Sequence, residues 1–446
     1  MPSRTSILIT YTAVGILVYQ VLCALGEVAS SLPEPSTIAS HATRCYDPAL
    51  GFTLGWIYWL KYLVVVPSQL TAGHYEFILA SFKVIVLLGL IILSLVLALG
   101  GGPDQDRKGF KYWSNPGAFA GDPTAFGRLR AICRTIPSAM FAYLGSELIG
   151  INILQTRNPR KAAVHGIKLT FYRILAFNIV AVALLGMLVP FDTDILNVPT
   201  IQMANVPVLP HILNACLLLF VLSSANYVLC SASRTIYRLA VDKHAPSILS
   251  RTDQRGIPVY ALGLCSVLAS LAYLSVSTDS KVLFDYFVNL VTMFGLLTWM
   301  SILIIHVAFV RARRVQKIPD NALVFRAPFG PYGSWIALAF CILIAVVRTS
   351  DVFDQDGYPG RFNYWDFLTS YLGLPLYLAL ILGYKIATRC KHLRPGEVDL
   401  QSMQREDEGR ETMALNGVGE EPQALFDQKF RTSWFCTWLR AINVKY

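Results

Sequence analysis

Charge is scarce in this chain: Asp, Glu, Lys and Arg make up 15% of its 446 residues, against about 25% in soluble globular domains. With 54% hydrophobic residues and a mean hydropathy of +0.49, little of the surface is left to interact with water. Soluble enzymes and nucleic-acid binders are excluded. The nine cysteines include no Cys-x-x-Cys pair and lie mostly inside or beside apolar runs (Cys23, Cys133, Cys216, Cys230, Cys265, Cys341). The histidines (His41, His74, His165, His211, His244, His306, His392) are scattered, with none at ligand spacing. Neither a disulfide framework nor a metal site is implied, and no cofactor is expected. No nucleophile, base and orienting group share a recognisable motif, so catalysis is not expected either. The formal net charge of +10 sits in short Lys and Arg clusters between apolar runs, which is a signature of membrane topology rather than of nucleic-acid binding.

Apolar runs of roughly 20 residues match the length that crosses a bilayer core as a helix. Ten can be marked: Ile7 to Leu25, Leu50 to Leu70, Phe77 to Leu99, Ile132 to Leu154, Ile174 to Val189, His211 to Ala232, Val259 to Val276, Val282 to Val310, Trp335 to Val347 and Phe367 to Ile386. All read as helices, because an open sheet edge does not survive in lipid. The expected class is therefore an all-α polytopic membrane protein. Only Arg4 precedes the first run and no small-residue cleavage site follows it, so it reads as a retained helix rather than a signal peptide. Residues 1–395 form the expected transmembrane domain, and 396–446 a cytoplasmic tail. Gln404 to Asp427 is acidic and Gly-rich and reads as disordered, while Phe430 to Leu439 alternates aromatic and basic residues, as a short interfacial helix or an unstructured end. Basic clusters at Arg157, Arg160, Lys161 and Lys168, at Arg234 to Arg255, at Arg311 to Lys317 and at Lys385 to Arg394 assign their loops to the cytoplasm.

Ionisable groups within spans cost about 2.5–3.5 kcal/mol on insertion scales and so mark candidate sites. Glu147 lies in Phe141-Ala-Tyr-Leu-Gly-Ser-Glu-Leu-Ile-Gly150, where two glycines and a serine weaken the helix. A break there frees backbone groups to bind a zwitterion or ion; the plainer account is a packing glycine with a Glu near the cytoplasmic end. Lys83 can snorkel to the interface. Lys61 has no evident partner, and snorkelling accounts for it too. Ser223, Ser224, Asn226, Ser231 and Ser233 make a polar stripe on one helix, suited to lining a pathway or to gluing helices together. An interfacial aromatic belt explains Trp56, Tyr58 and Trp59.

In order along Ile7 to Arg394, a set of short stretches resembles the fungal amino acid permeases, the yeast branch of the amino acid, polyamine and organocation superfamily. These are Gly26-Glu-Val-Ala-Ser30, Asp47-Pro-Ala-Leu-Gly-Phe-Thr-Leu-Gly-Trp56, Gly145-Ser-Glu-Leu-Ile-Gly150, Asn158-Pro-Arg-Lys161, Ser223-Ser-Ala-Asn226, Ser231-Ala-Ser-Arg-Thr235, Arg255-Gly-Ile-Pro-Val259 and Arg326-Ala-Pro-Phe-Gly-Pro-Tyr332. The resemblance implies a leucine-transporter-like fold of inverted repeats, moving amino acids with protons across the plasma membrane by alternating access. It assigns substrate contacts to Gly145, Ser146 and Glu147 on the broken sixth helix, to Ser223 and Asn226 on the eighth, and to Trp56 on the third. A fifth-helix lysine serves as a proton-linked switch in some members, and Lys83 stands in a matching Ser-Phe-Lys-Val-Ile context. Ser224-Ala225 and Gln69 depart from the family's common Ala-Gly and Glu, which bears on substrate preference.

About ten of the family's usual twelve helices are accounted for. The family's glycine-rich first helix and its fourth helix, expected between Gly73 and His74, have no counterpart. With an even number of helices missing, the second half keeps its orientation, and the first two spans are expected to insert opposite to the family's sense, or one of them not to span. The alternative to a proton-coupled permease is accordingly a transport-inactive remnant or assembly partner, held in endomembranes if misfolded. The expected partners are an amino acid, protons and the lipid bilayer.

Overall fold

A computed structural model describes residues 4–32, 38–65, 76–101, 109–110, 124–148, 166–167, 169–170, 172–188, 209–253, 257–270, 280–318, 323, 325–348, 354–355, 358–359, 364–398 and 400. The described residues are overwhelmingly helical, the exception being one antiparallel pair, β1 (Asp354–Gln355) with β2 (Tyr358–Pro359). The helices in chain order are α1 (Arg4–Ser31), α2 (Ile38–Cys45), α3 (Pro48–Val65), α4 (Glu76–Ala98), α5 (Ala125–Tyr143) and α6 (Val180–Leu188), the last entered through a π-helical turn, Ile174–Ile179. They continue with α7 (Leu209–Val241), α8 (Val259–Ala269), α9 (Ser280–Val315), α10 (Gly330–Val347), α11 (Tyr364–Tyr371) and α12 (Gly373–Thr388). Each of the ten apolar runs contains helix among the described residues. Among the described residues, four stretches are long and apolar enough to cross a bilayer by themselves: Thr5–Ser31, Asn214–Val241, Phe284–Val315 and Gly330–Val347.

Two runs are not single helices. Phe367 to Ile386 divides at Leu372 into α11 and α12, and Ile132 to Leu154 leaves the helix at Tyr143, in a turn that carries Gly145 and Glu147. Pro137 lies inside α5 without ending it. The Gly73 to His74 junction, Gln69, the basic cluster from Arg157 to Lys168, and the tail stretches Gln404 to Asp427 and Phe430 to Leu439 lie outside the described residues.

The start of α3 shows how local sequence sets an element. Asp47 precedes Pro48, and its Oδ1 accepts from Ala49 N at 2.8 Å, so a cap and a proline in the first turn define the helix entry. The other carboxylate oxygen, Oδ2, pairs with Lys385 Nζ at 2.7 Å, tying α12 to the same corner.

Packing centres on α9 and α3, which lie against each other. The former also meets α1, α5, α10 and α11, and the latter α2, α7 and α12. One core draws on α1, α3, α5, α9 and α10 (Leu17, Leu54, Met140, Trp299, Cys341), and a second joins α3 to α7 and α8 (Trp59, Ile236, Cys265). Around this interior the outward faces are apolar as well: Ile85 and Ile92 on α4, Leu218 on α7, Ile336 and Val346 on α10, and Leu382 on α12 are all more than half exposed. Helices that are apolar on both faces are dissolved in lipid. Buried hydroxyls on α9 bond back to their own helix, as Thr298 Oγ1 does to Phe294 O and Ser301 Oγ to Leu297 O, both at 2.8 Å. This keeps hydroxyls tolerable in a dry interior.

Candidate functional site

The break after α5 is built by glycine. Gly145 has φ +91°, a left-handed conformation that an L side chain resists, and the chain turns from Leu144 to Glu147. The turn brings Glu147 inward, where it is fully buried. Its carboxylate gathers donors from three sources: the freed amide Gly145 N to Oε2 at 3.2 Å, the indole Trp299 Nε1 of α9 to Oε2 at 3.4 Å, and Lys61 Nζ of α3 to Oε1. Ser146 turns back, its Oγ donating to Tyr143 O at 2.8 Å.

Lys61 therefore does not snorkel. Only 2% of it is exposed, and its ammonium lies over the rings of Tyr58 and Tyr62, 4.3 and 5.0 Å from their centroids, while bonding Glu147. Spacing contributes to the aromatic clamp, because Tyr58 stands three residues before Lys61 and four before Tyr62 and so shares a helix face with each. Tyr62 Oη donates to Tyr58 Oη at 2.7 Å and locks the two rings. An ammonium, a carboxylate and two ring faces form a net-neutral unit that the membrane interior tolerates, whereas either ion alone would be strongly unfavourable there.

The aromatic-belt account of Trp56, Tyr58 and Trp59 is also corrected. Tyr58 and Trp59 are buried in the core shared with α7 and α8, and the partly buried Trp56 stacks edge-on against Trp59 with centroids 5.5 Å apart. Aromatic residues in a belt face headgroups; these face protein. The Trp56 Nε1 proton is buried with no acceptor among the described residues.

Ser223 and Asn226 both lie on α7. The α7 face that packs on Tyr58, Tyr62 and Leu148 carries Tyr227, Val228 and Ala232. At about 100° per residue Ser223 lies one turn before Tyr227, on the Tyr227 side of that helix. Ser223 is 1% exposed, its Oγ has no partner among the described residues, and no hydrogen bond joins Asn226 to Glu147. Lys83 lies on α4, and its side chain is outside the described residues.

A second buried polar knot escaped the sequence reading. Glu27 of α1 accepts from Ala327 N at 2.7 Å and bonds His306 Nε2 of α9 at 3.2 Å, and His306 Nδ1 meets Ser334 Oγ of α10 at 2.8 Å. All three side chains are at most 1% exposed. Glu27 and Ala327 each sit in a family-like stretch, but nothing in either stretch points to the other across 300 residues.

The amino acid permease family model matches residues 3–75 and 71–394, two stretches that overlap at 71–75. The dicarboxylic amino acid permease of Saccharomyces cerevisiae is 39% identical, over 91% of this chain and 76% of that protein. An uncharacterized amino-acid permease of Schizosaccharomyces pombe is 33% identical over 89% and 85%, and the basic amino-acid permease of S. cerevisiae 30% over 90% and 78%. The matches run through both halves of the helical bundle and include the helix break at Gly145, and on that basis the chain belongs to the amino acid permease family.

Proposed function

We propose that this protein carries amino acids across the plasma membrane together with protons, by alternating access, and that the broken helix at Gly145 to Glu147 is its substrate site. The observation that carries the reading is the fully buried Glu147 carboxylate at the end of a broken helix, bonded to the Gly145 amide that the break releases from helical bonding. Such a carboxylate can hold either a proton or a substrate amine, and a helix opened at mid-membrane supplies backbone groups for a zwitterion. Gly145 and Ser146 form the turn, Trp56 walls the α3 side, and Ser223 and Asn226 face the pathway from α7. Lys83 retains the proton-linked role that the resemblance implies.

The relatives carry names for dicarboxylic, basic, proline and lysine substrates, and the 39% identical one, named for dicarboxylic amino acids, sets the first class to assay. The test is uptake of radiolabelled amino acids by a permease-deficient yeast strain expressing this chain, with and without an uncoupler. Saturable uptake that collapses with the proton gradient is expected. Gradient-independent uptake would remove the proton from the reading, and a surface-located chain that takes up none of the amino acids would overturn transport itself.

A further inference from the structure

We propose that Lys61 is the specificity-determining residue of the site and selects amino acids with an acidic side chain, by exchanging the carboxylate of Glu147 for that of the substrate. The inference rests on the transport reading above and deepens it.

It follows from charge conservation in a dry site. In the closed arrangement Lys61 and Glu147 cancel each other, both essentially inaccessible to water, with the ammonium held over Tyr58 and Tyr62. A group this deep can be separated from its counter-ion only if another takes its place, because an uncompensated buried ion is strongly unfavourable. An acidic amino acid brings a net charge of −1. If one proton from the outer aqueous phase binds Glu147 at Oε1 as the substrate enters, the Lys61–Glu147 bond breaks and a Lys61–substrate carboxylate bond forms. The site then holds Lys61 at +1, Glu147 at 0 and the substrate at −1, neutral as before.

A neutral amino acid entering with the same proton leaves the site at +1, and a basic one at +2, next to an ammonium with no partner. The geometry suits protonation at Oε1. Oε2 keeps its two donors, Gly145 N and Trp299 Nε1, whether Glu147 is charged or neutral, and only Oε1 gives up a partner. The aromatic clamp leaves Lys61 in place during the exchange, since Tyr58 and Tyr62 belong to its own helix and are bonded to each other. One exchange thus accounts for both substrate class and proton stoichiometry.

Aspartate and asparagine, equal in size and different in charge, provide the test. With the full chain in permease-deficient cells, aspartate uptake should exceed asparagine uptake at least about tenfold, since a charge-assisted contact replaces a neutral one. Lys61→Gln should reverse that ratio by a similar factor, and Lys61→Arg should keep the acidic preference. If Lys61→Gln alone does not reach the surface because Glu147 is left unpaired, Lys61→Gln with Glu147→Gln removes both charges; it should take up asparagine in preference to aspartate, without need of a proton gradient. Wild-type protein that carries asparagine or leucine as well as aspartate overturns the inference while leaving transport intact, as does an unchanged ratio in a surface-located variant. No uptake of any amino acid overturns the transport reading, and this inference with it.

Discussion

Removing the Glu27 side chain should loosen the bundle where α1, α9 and the segment before α10 meet. As a carboxylate Glu27 only accepts hydrogen bonds, so His306 Nε2 carries its proton towards it and Nδ1 accepts from the Ser334 hydroxyl. Glu27→Ala strands two buried donors, Ala327 N–H and His306 Nε2–H, each at about 1–3 kcal/mol. Together with the space left by the missing side chain, a loss of about 4 kcal/mol is expected. Scaled as for globular proteins of this size, that lowers the midpoint of thermal unfolding by about 5 °C.

Glu27→Gln separates hydrogen bonding from charge. Its amide oxygen can still accept from Ala327 N, and a neutral His306 can move its proton to Nδ1, donate to Ser334 and accept from the new amide. The loss should stay near 1 kcal/mol. The assay is thermal unfolding of detergent-solubilised protein in the presence of a thiol-reactive fluorophore. The buried thiols of Cys23, Cys133, Cys265 and Cys341 report opening, and Cys23 lies one turn from Glu27. An Ala variant unfolding within 1 °C of wild type, or a Gln variant as unstable as Ala, refutes the reasoning, the error limit here being about that of the assay.

Three further outcomes are expected. Gly51→Ala should sharply lower surface expression, because a Cβ there would lie 1.9 Å from Thr43 Oγ1 and 2.7 Å from the backbone oxygen of Ala39; adding Thr43→Ala should restore it only in part, since the backbone oxygen remains. Gly145→Ala has room for its methyl, the nearest atom being Leu148 Cδ1 at 3.8 Å, but not the backbone freedom at φ +91°, so we expect a loss of about 1–2 kcal/mol and impaired uptake without loss of surface protein. His41, on the short helix between the first two spans, is pushed down to about 4 by burial and, secondarily, by Arg44. The unfolded chain therefore binds a proton below pH 6.5 that the folded chain refuses, and stability present above 6.5 falls by about 3 kcal/mol as the pH approaches 4. His41→Gln should flatten that slope in pH-dependent unfolding curves.

The helical spans were legible because lipid imposes a length and an apolar composition that few other structures share, and among the described residues each of the ten runs contains helix. The weak point at Gly145 was legible for a related reason: two glycines and a serine around an ionisable residue conflict with a continuous span. The partners of that residue were not. Lys61 and Glu147 are 86 positions apart, and Glu27 and His306 are 279 apart. Their pairing follows from how α3, α5, α9 and α1 cross, which no local pattern encodes. The polar stripe on α7 shows the same limit from the other side. Helical spacing grouped Ser223 with Asn226, but it did not point to Tyr227, which packs against the core that holds Tyr58 and Tyr62.

What the sequence alone determined is therefore everything governed by solvent: the all-helical class, the number and rough bounds of the apolar runs, the basic loops and the place where one span cannot stay helical. Transfer free energies act residue by residue and leave their record in composition. The tertiary structure decided which charges cancel. Lys61 is buried against Glu147 and Tyr58 faces Lys61 rather than headgroups, because in a low-dielectric interior an ion is stable only where the crossing of distant helices brings it a partner.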